Sequence, residues 1–461
     1  MTDGIAAKAA VRKAGIAGWI LFDPATQPFY TLITTFIFAP FFATYVAADP
    51  VSGQAAWGFA AGAGGLAIAL LAPVMGAIAD AGGRRKSWIA FFSIFLVIGS
   101  CLLWFAVPGA PGAVAIALAG FVVAAIGAEF ATVFNNAMMP DLVDDRRLGR
   151  LSGSAWAAGY IGGLISLALV LGLLAAEPDT GRTLLGLIPL FGLDPATHAG
   201  ARVSGPFAAV WYLAFVWPLF LFTPDRPRMM PLGAAVQSGL AALSRTLRCI
   251  GAYRNTLRFL LAHMIYADGL IALFAFSGIY AASVFGWTTI ELGLLGILLT
   301  ITGAIGGVGG GILDDRFGPK AVVGGALVLL VVASGAVLSI NRTSIFFIVE
   351  VAPPAPGDGV FAAAGERLFL ALGALIGVAA GPLQAASRVL MVHVAPRERM
   401  TEFFGLYALS GKLTSFLGPL AVGTVTALAA SQRLGIAVIL IFFALGGIFL
   451  AGVRIDRKLP H

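Results

Sequence analysis

Gly76-Ala77-Ile78-Ala79-Asp80-Ala81-Gly82-Gly83-Arg84-Arg85-Lys86 joins the end of one long apolar segment to the start of the next and reads G-x-x-x-D-x-x-G-R-R-K. A second copy stands at the equivalent place in the second half of the chain. It runs Gly311-Ile312-Leu313-Asp314-Asp315-Arg316-Phe317-Gly318-Pro319-Lys320 and reads G-x-x-x-D-x-x-G-P-K. Two copies in register make the chain a tandem duplication of one membrane unit. The glycines let helix ends approach closely and the chain turn tightly. The acid can accept hydrogen bonds from backbone N–H groups at a neighbouring helix start, or pair with an arginine. Such a contact can latch one conformation and release it in another. The alternative for a single copy is a plain basic turn between two spans; the repetition weighs against it. Gly76, Asp80, Gly83, Arg84 and Arg85 in the first copy, and Gly311, Asp315, Gly318 and Lys320 in the second, are the candidate latch residues.

Composition points the same way. Of 461 residues, 59% are hydrophobic and 11% charged, and the mean hydropathy is +0.95. A soluble core needs far less apolar surface, and about 20 apolar residues suffice to cross a bilayer. The net charge of +7 comes from loop residues in an apolar background, so it reports topology and argues against nucleic acid as a partner. The 59 glycines suit closely packed membrane helices. Cys101 falls in a span and Cys249 in a loop on the opposite redox side from secretion, so no disulfide is expected. Lys8, Arg12 and Lys13 precede a first apolar run too long for a signal peptide, which is read as an uncleaved helix.

Apolar runs place spans near 15–47, 55–79, 87–106, 112–138, 151–176, 206–223, 259–284, 291–313, 320–340, 367–392, 402–427 and 433–452. The expected class is therefore all-α and integral to the membrane. Two six-helix bundles occupy residues 1–223 and 259–461, and a cytoplasmic linker occupies 224–258. Of the 29 Lys and Arg, only Arg182, Arg202, Arg342, Arg367 and Arg433 fall in the outer loops, and Arg388 and Lys412 lie within spans. That bias orients both termini toward the cytoplasm, and a bacterial inner membrane is the expected location. Val236, Leu240, Leu243, Leu247 and Ile250 form one apolar face in the linker, either an interfacial helix among membrane lipids or one packed on the bundle ends. The long outer segments 177–205 and 341–366 are read as lids or as flexible loops.

Ionisable groups inside spans are costly and mark function by default. Asp23 lies among Pro24, Thr26, Gln27 and Pro28, where a helix break is expected; a helix cap is the alternative reading. Glu129 is a lone carboxylate in the fourth span, expected to carry protons, with Asn135 and Asn136 following. Tyr266 and Asp268 lie in the seventh span, with His263 near its start, where a solvated or interfacial histidine is expected rather than a proton relay. Gln384 and Arg388 lie in the tenth, and Lys412 in the eleventh. Asp268 and Lys412 sit about equally deep in spans running the same way, so an ion pair between them is expected. The cavity and coupling set is thus Asp23, Gln27, Glu129, Asn135, Tyr266, Asp268, Gln384, Arg388 and Lys412. No metal-ligand spacing, nucleophile triad or phosphate loop appears, so neither enzyme activity nor a cofactor is expected. The glycine run Gly303–Gly311 sits in an apolar span and suits close packing, since no strand precedes it.

The duplicated loop resembles the signature of the major facilitator superfamily. Three further blocks resemble its Atg22-like branch. The most specific is Gly381-Pro382-Leu383-Gln384-Ala385-Ala386-Ser387-Arg388 with Glu402-Phe403-Phe404-Gly405-Leu406-Tyr407-Ala408-Leu409-Ser410-Gly411-Lys412. The others are Phe134-Asn135-Asn136-Ala137-Met138-Met139-Pro140-Asp141-Leu142 and Tyr266-Ala267-Asp268-Gly269. The family places an aromatic, Ala and Asn after the first-span acid; here Pro24-Ala25-Thr26 stand there. The resemblance implies two pseudo-symmetric bundles around a cavity lined by the first, fourth, seventh and tenth spans. It also implies alternating-access transport, proton-coupled, of an amino acid or similar small zwitterion by a monomer. A broad-specificity drug exporter, and a non-transporting sensor or lipid-handling protein, are the alternatives.

Overall fold

The computed structural model describes residues 11–176, 180–248, 250–287, 289–352 and 361–455. Among them, 12 helices are long and apolar enough to cross a membrane. Spans 1 to 6 are Lys13–Val46, Ser52–Gly82, Lys86–Phe105, Ala113–Leu142, Asp145–Leu174 and Ala199–Phe222. Spans 7 to 12 are Arg254–Phe285, Glu291–Phe317, Pro319–Leu338, Ala364–Val394, Arg397–Ala429 and Gln432–Ala451. Several helices run past the apolar stretch that marks them in the sequence, because their polar ends continue into the loops. Cys249 lies outside the described residues, and Cys101 is a half-buried free thiol.

The duplication is visible in the packing. Span 3 packs on spans 4 and 6, span 1 on 5 and 6, and span 2 on 4; the same pairs recur in the second half with every number raised by six. The two halves meet through span 2 with span 11 and span 5 with span 8. This is the arrangement of two pseudo-symmetric six-helix bundles that the sequence resemblance implies.

Span 1 is broken, as the prolines require. A helix over Lys13–Ile20 gives way at Leu21 to Phe22–Pro28, followed by wide π-helical turns over Phe29–Phe36 and a kink at Ile37. Pro28 has no N–H to offer the Pro24 carbonyl. The Trp211 indole of span 6 donates to that carbonyl instead, at 2.9 Å. Asp23 lies in the first turn of the second segment and caps no helix.

The molecule is closed at the end that carries the duplicated loops. Met400–Lys412 of span 11 packs on span 2 there, whereas the rest of that span, Leu417–Ala429, packs on spans 7 and 12 of its own half. Closure depends on glycine. A Cβ at Gly76 would collide with the Thr401 carbonyl, and one at Gly405 with that of Ala72. The glycine run of span 8 meets span 5 through Gly307 and Gly311, against Gly153 and Gly149, and meets span 10 through Gly306 and Gly310, so its use is packing.

The linker helix, Leu232–Arg248, packs against span 2, where Gly239 seats on the backbone of Ile78. Ala235 and Leu243 are buried while Leu240 is exposed; the side chains of Leu247 and Ile250 lie outside the description. Of the reading as an interfacial helix or one on the bundle ends, the second describes this contact. At the far end, residues 180–203 form short turns, and Ser344–Ile345 pairs with Val349–Glu350 as a small hairpin. Residues 177–179 and 353–360 of those segments lie outside the described residues.

Candidate functional site

The site is built on Arg388 of span 10, which is 4% exposed and crosses from its own half into the other. Its Nη1 is 3.1 Å from Asp23 Oδ2 and donates to Asn136 Oδ1, also at 3.1 Å. Its Nε donates to Ser152 Oγ and its Nη2 to the Ser152 carbonyl, both at 2.9 Å. Ser152 Oγ in turn donates to the Ala385 carbonyl at 2.8 Å. The rings of Trp19 and Trp156 lie 5.2 and 5.4 Å from the guanidinium carbon. One guanidinium thus joins spans 1, 4 and 5 to span 10. A planar fork can satisfy several acceptors at once, as a point-charge ammonium cannot. A buried arginine this well satisfied is tolerable; with one partner removed it is costly.

A second pair crosses the halves. Lys412 Nζ stands 2.7 Å from Glu129 Oε1 of span 4, and the Tyr30 hydroxyl interacts with the same carboxylate. The expected pair between Lys412 and Asp268 is therefore corrected: the lysine is taken by Glu129. Asp268 is buried with Oδ1 unpartnered, and the polar group beside its carboxylate is the Thr414 hydroxyl, which interacts with it. The reason is azimuth. Lys412 is the last residue of its helical segment, and from there its side chain reaches across the interface to Glu129. Glu129 is likewise not the lone carboxylate it seems in the sequence.

The remaining candidates sit around these pairs. Gln384 donates to the Tyr160 hydroxyl at 3.2 Å, again across the halves. The Tyr266 and Ser387 hydroxyls are 2.6 Å apart. Gln27 donates to Thr31 at 3.4 Å within its own span and does not reach Arg388. Asn135 contributes its carbonyl, which accepts from Trp19 Nε1 at 2.7 Å, while its buried side-chain amide is unpartnered; Asn136, one residue on, is the arginine ligand. His263 is buried rather than solvated: it bonds Ser410 at 2.8 Å and stacks on Tyr407 at 3.9 Å.

The two copies of the duplicated loop make contacts across the halves as well. Asp80 accepts from Thr401 Oγ1 at 2.6 Å and from the Glu402 backbone N–H at 2.9 Å, at the start of span 11. Asp315 accepts from the Arg150 backbone N–H at 3.2 Å, at the start of span 5, and Arg150 Nε lies 2.9 Å from its carboxylate. Each acid holds the N-terminus of a helix in the other half, where the helix dipole favours negative charge. Gly83 and Gly318 turn the two loops at φ 88° and 87°, a conformation that favours glycine.

Beyond the acids the copies differ. Buried Arg85 ties Asp80, Asp141 and Thr401 together, and Arg226 of the linker shares Asp141. Burial works against charge on Arg226, but Asp141 outweighs it and raises the guanidinium pKa. Lys320 instead donates to the carbonyls of Ala451 and Val453, and Arg84 is exposed. Neither takes part in a latch contact. Ser152, Thr401 and Arg150 carry no signal in the sequence beyond their neighbourhood, and Asn136 is marked there only together with Asn135.

Comparison with known proteins agrees with this architecture. Residues 62–460 match the family described as vacuole effluxer Atg22 like. The uncharacterized MFS-type transporter YxiO of Bacillus subtilis is 25% identical over 442 residues, covering 94% of each chain. Autophagy-related protein 22 of Cryptococcus neoformans is 24% identical over 319 residues, and this chain spans about half (53%) of its length. Among solved structures, the transporter FucP in the outward conformation superposes with a TM-score of 0.67 at 15% identity over 96% of this chain and 98% of that one. The human organic anion transporter MFSD10 gives 0.66 at 16% identity, over 95% and 99%. At these identities the structures speak to the fold alone.

Proposed function

The chain belongs to the Atg22-like family of major facilitator transporters, and from that premise we propose that it moves a small zwitterion such as an amino acid by alternating access, driven by protons. Fold and family point to a transporter rather than an enzyme. The observation that carries the substrate class is the buried Asp23–Arg388 pair, 3.1 Å apart where the two halves meet. A zwitterion offers the same two charges in reverse. Its carboxylate can take Arg388 and its ammonium Asp23, so the substrate replaces an internal pair without leaving either charge bare. Its entry separates the halves at the pair. Reading the basic loops as cytoplasmic, we take the end where these loops meet as the inner end and the state as outward-facing, held by Asp80 and Asp315.

Counterflow in proteoliposomes tests this. Vesicles loaded with a mixture of unlabelled amino acids are diluted into each labelled amino acid in turn. At least one should accumulate transiently, and Asp23→Asn and Arg388→Lys should abolish it. Counterflow of no amino acid, alongside retained flux of an organic anion or drug, overturns the substrate class.

A further inference from the structure

We infer that the recess between spans 3 and 6 at the latched end binds the headgroup of an anionic phospholipid, whose acyl chains lie along the two spans. The recess has a volume of about 540 Å³ and is lined by Arg84, Lys86, Ser87, Phe220, Asp225 and Arg226, among others. Its lining is positive by count, with Arg84, Lys86 and Arg226 against one acid, Asp225. The Asp225 carboxylate is tied to the backbone, accepting from the N–H groups of Arg85, Lys86 and Arg226 at 2.9–3.1 Å. Arg226 spends its guanidinium on Asp141. Lys86 Nζ donates to a neutral acceptor, the Phe220 carbonyl, at 2.9 Å, and Asp225 is its nearby counter-charge. Arg84 is exposed at the rim. One ammonium, of Lys86, and one guanidinium, of Arg84, therefore share a single acid at the recess, and a phosphate-bearing headgroup supplies a second anion.

The source of the phosphate is argued from what continues out of the recess. Ser87, Ala90, Phe91, Ile94 and Ile98 are exposed and recur at spacings of three and four, so they form one face of span 3. Leu213, Trp217 and Leu221 do the same on span 6, which packs beside it. An apolar track thus leads from the cationic recess toward the middle of the membrane. A free phosphate has no use for it; a lipid tail does. The walls of the recess are also the back of the first latch, because Asp225 fixes the Arg85 and Lys86 backbone and Arg226 shares Asp141 with Arg85. A headgroup bound here braces the latch in its closed geometry.

The test is melting of the full chain in mild detergent, titrated with phosphatidylglycerol, phosphatidylcholine or inorganic phosphate. A ligand that prefers the native state raises the melting temperature in a concentration-dependent way. Phosphatidylglycerol should do so and the other two should not. The double variant Arg84→Gln/Lys86→Gln should lose the response. So should Ala90→Trp, which fills the recess without removing a charge and serves if the double variant misfolds. Equal stabilisation by phosphatidylcholine, the same shift with inorganic phosphate, or a parent-like response from both variants overturns the inference. The readout does not involve transport, so it stands or falls apart from the proposed substrate.

Discussion

Lys412 Nζ lies 2.7 Å from Glu129 Oε1, and the two residues belong to opposite halves of the molecule. A pair that spans the halves is made in one state of an alternating-access cycle and strained or broken in another. Lys412 is 36% exposed, so the pair is worth less than a fully buried one. A double-mutant cycle with Glu129→Gln and Lys412→Met should give a coupling of about 1–2 kcal/mol in melting experiments. The same cycle with Asp268→Asn and Lys412→Met should give close to zero. Coupling to Asp268 and none to Glu129 would refute this assignment.

That contrast shows what a sequence can and cannot carry. Span number, duplication and the latch acids were legible, because apolar length and a repeated loop are one-dimensional signals. The depth of Asp268 and Lys412 was also legible, but depth is one coordinate of two. Successive helical residues point about 100° apart, which is why Asn136 reaches Arg388 and Asn135 does not. Ser152 was invisible for another reason: a serine among small residues in a packed helix has no pattern to set it apart, yet it takes two of the arginine's bonds.

Arg388→Lys should not behave as a conservative change. The guanidinium serves Asp23, Asn136 and both Ser152 oxygens, and an ammonium cannot span them from one position. A loss of about 3–5 kcal/mol is expected, as for breaking a buried pair, with Asp23→Asn/Arg388→Met recovering part of it. Denaturant melts of the three variants decide this; parent-like stability of Arg388→Lys would show that the network is not a constraint.

The two latches should differ in strength. Asp80 is nearly buried and accepts from a hydroxyl, a backbone N–H and Arg85, whereas Arg150 opposite Asp315 is 66% exposed. Asp80→Asn should cost about 1.5–3 kcal/mol and Asp315→Asn about 0.5–1 kcal/mol. Hydrogen exchange over residues 400–406 should speed up in the first variant and barely change in the second. Equal effects would argue that the buried hydroxyl contact contributes nothing.

His198, at the far end, supplies a pH dependence. Its ring lies against that of Tyr45, tilted by 32° with centroids 3.9 Å apart. Burial, and then the Arg202 charge, hold the imidazole pKa below the ordinary histidine value. A detached His198 therefore binds a proton more readily than a docked one. Docking is at full strength above the ordinary pKa of about 6.5 and weakens as pH falls below it. Exchange protection of residues 194–203 should drop on acidification, and His198→Phe, which keeps the ring contact, should remove the drop.

The close approach of spans 2 and 11 gives the most direct test of the closed end. Gly76 faces the Thr401 carbonyl and Gly405 the Ala72 carbonyl so tightly that neither site has room for a Cβ. The opposing atoms are backbone, which cannot swing aside as a side chain can. Gly76→Val should therefore force the latched ends apart, remove the Asp80 contacts to Thr401 and Glu402, and shift the population toward the state open at that end. Gly62 is the internal control: it lies in the same helix, where a Cβ would meet nothing within 4 Å. Gly62→Ala should be neutral or stabilising by about 0.5–1 kcal/mol, through the lower backbone entropy of the unfolded chain. Maleimide labelling of a cysteine placed at buried Met391 reads the outcome from the latched side. Labelling should rise in Gly76→Val and stay at the parent level in Gly62→Ala. Unchanged labelling in Gly76→Val would mean that the two spans close without this contact.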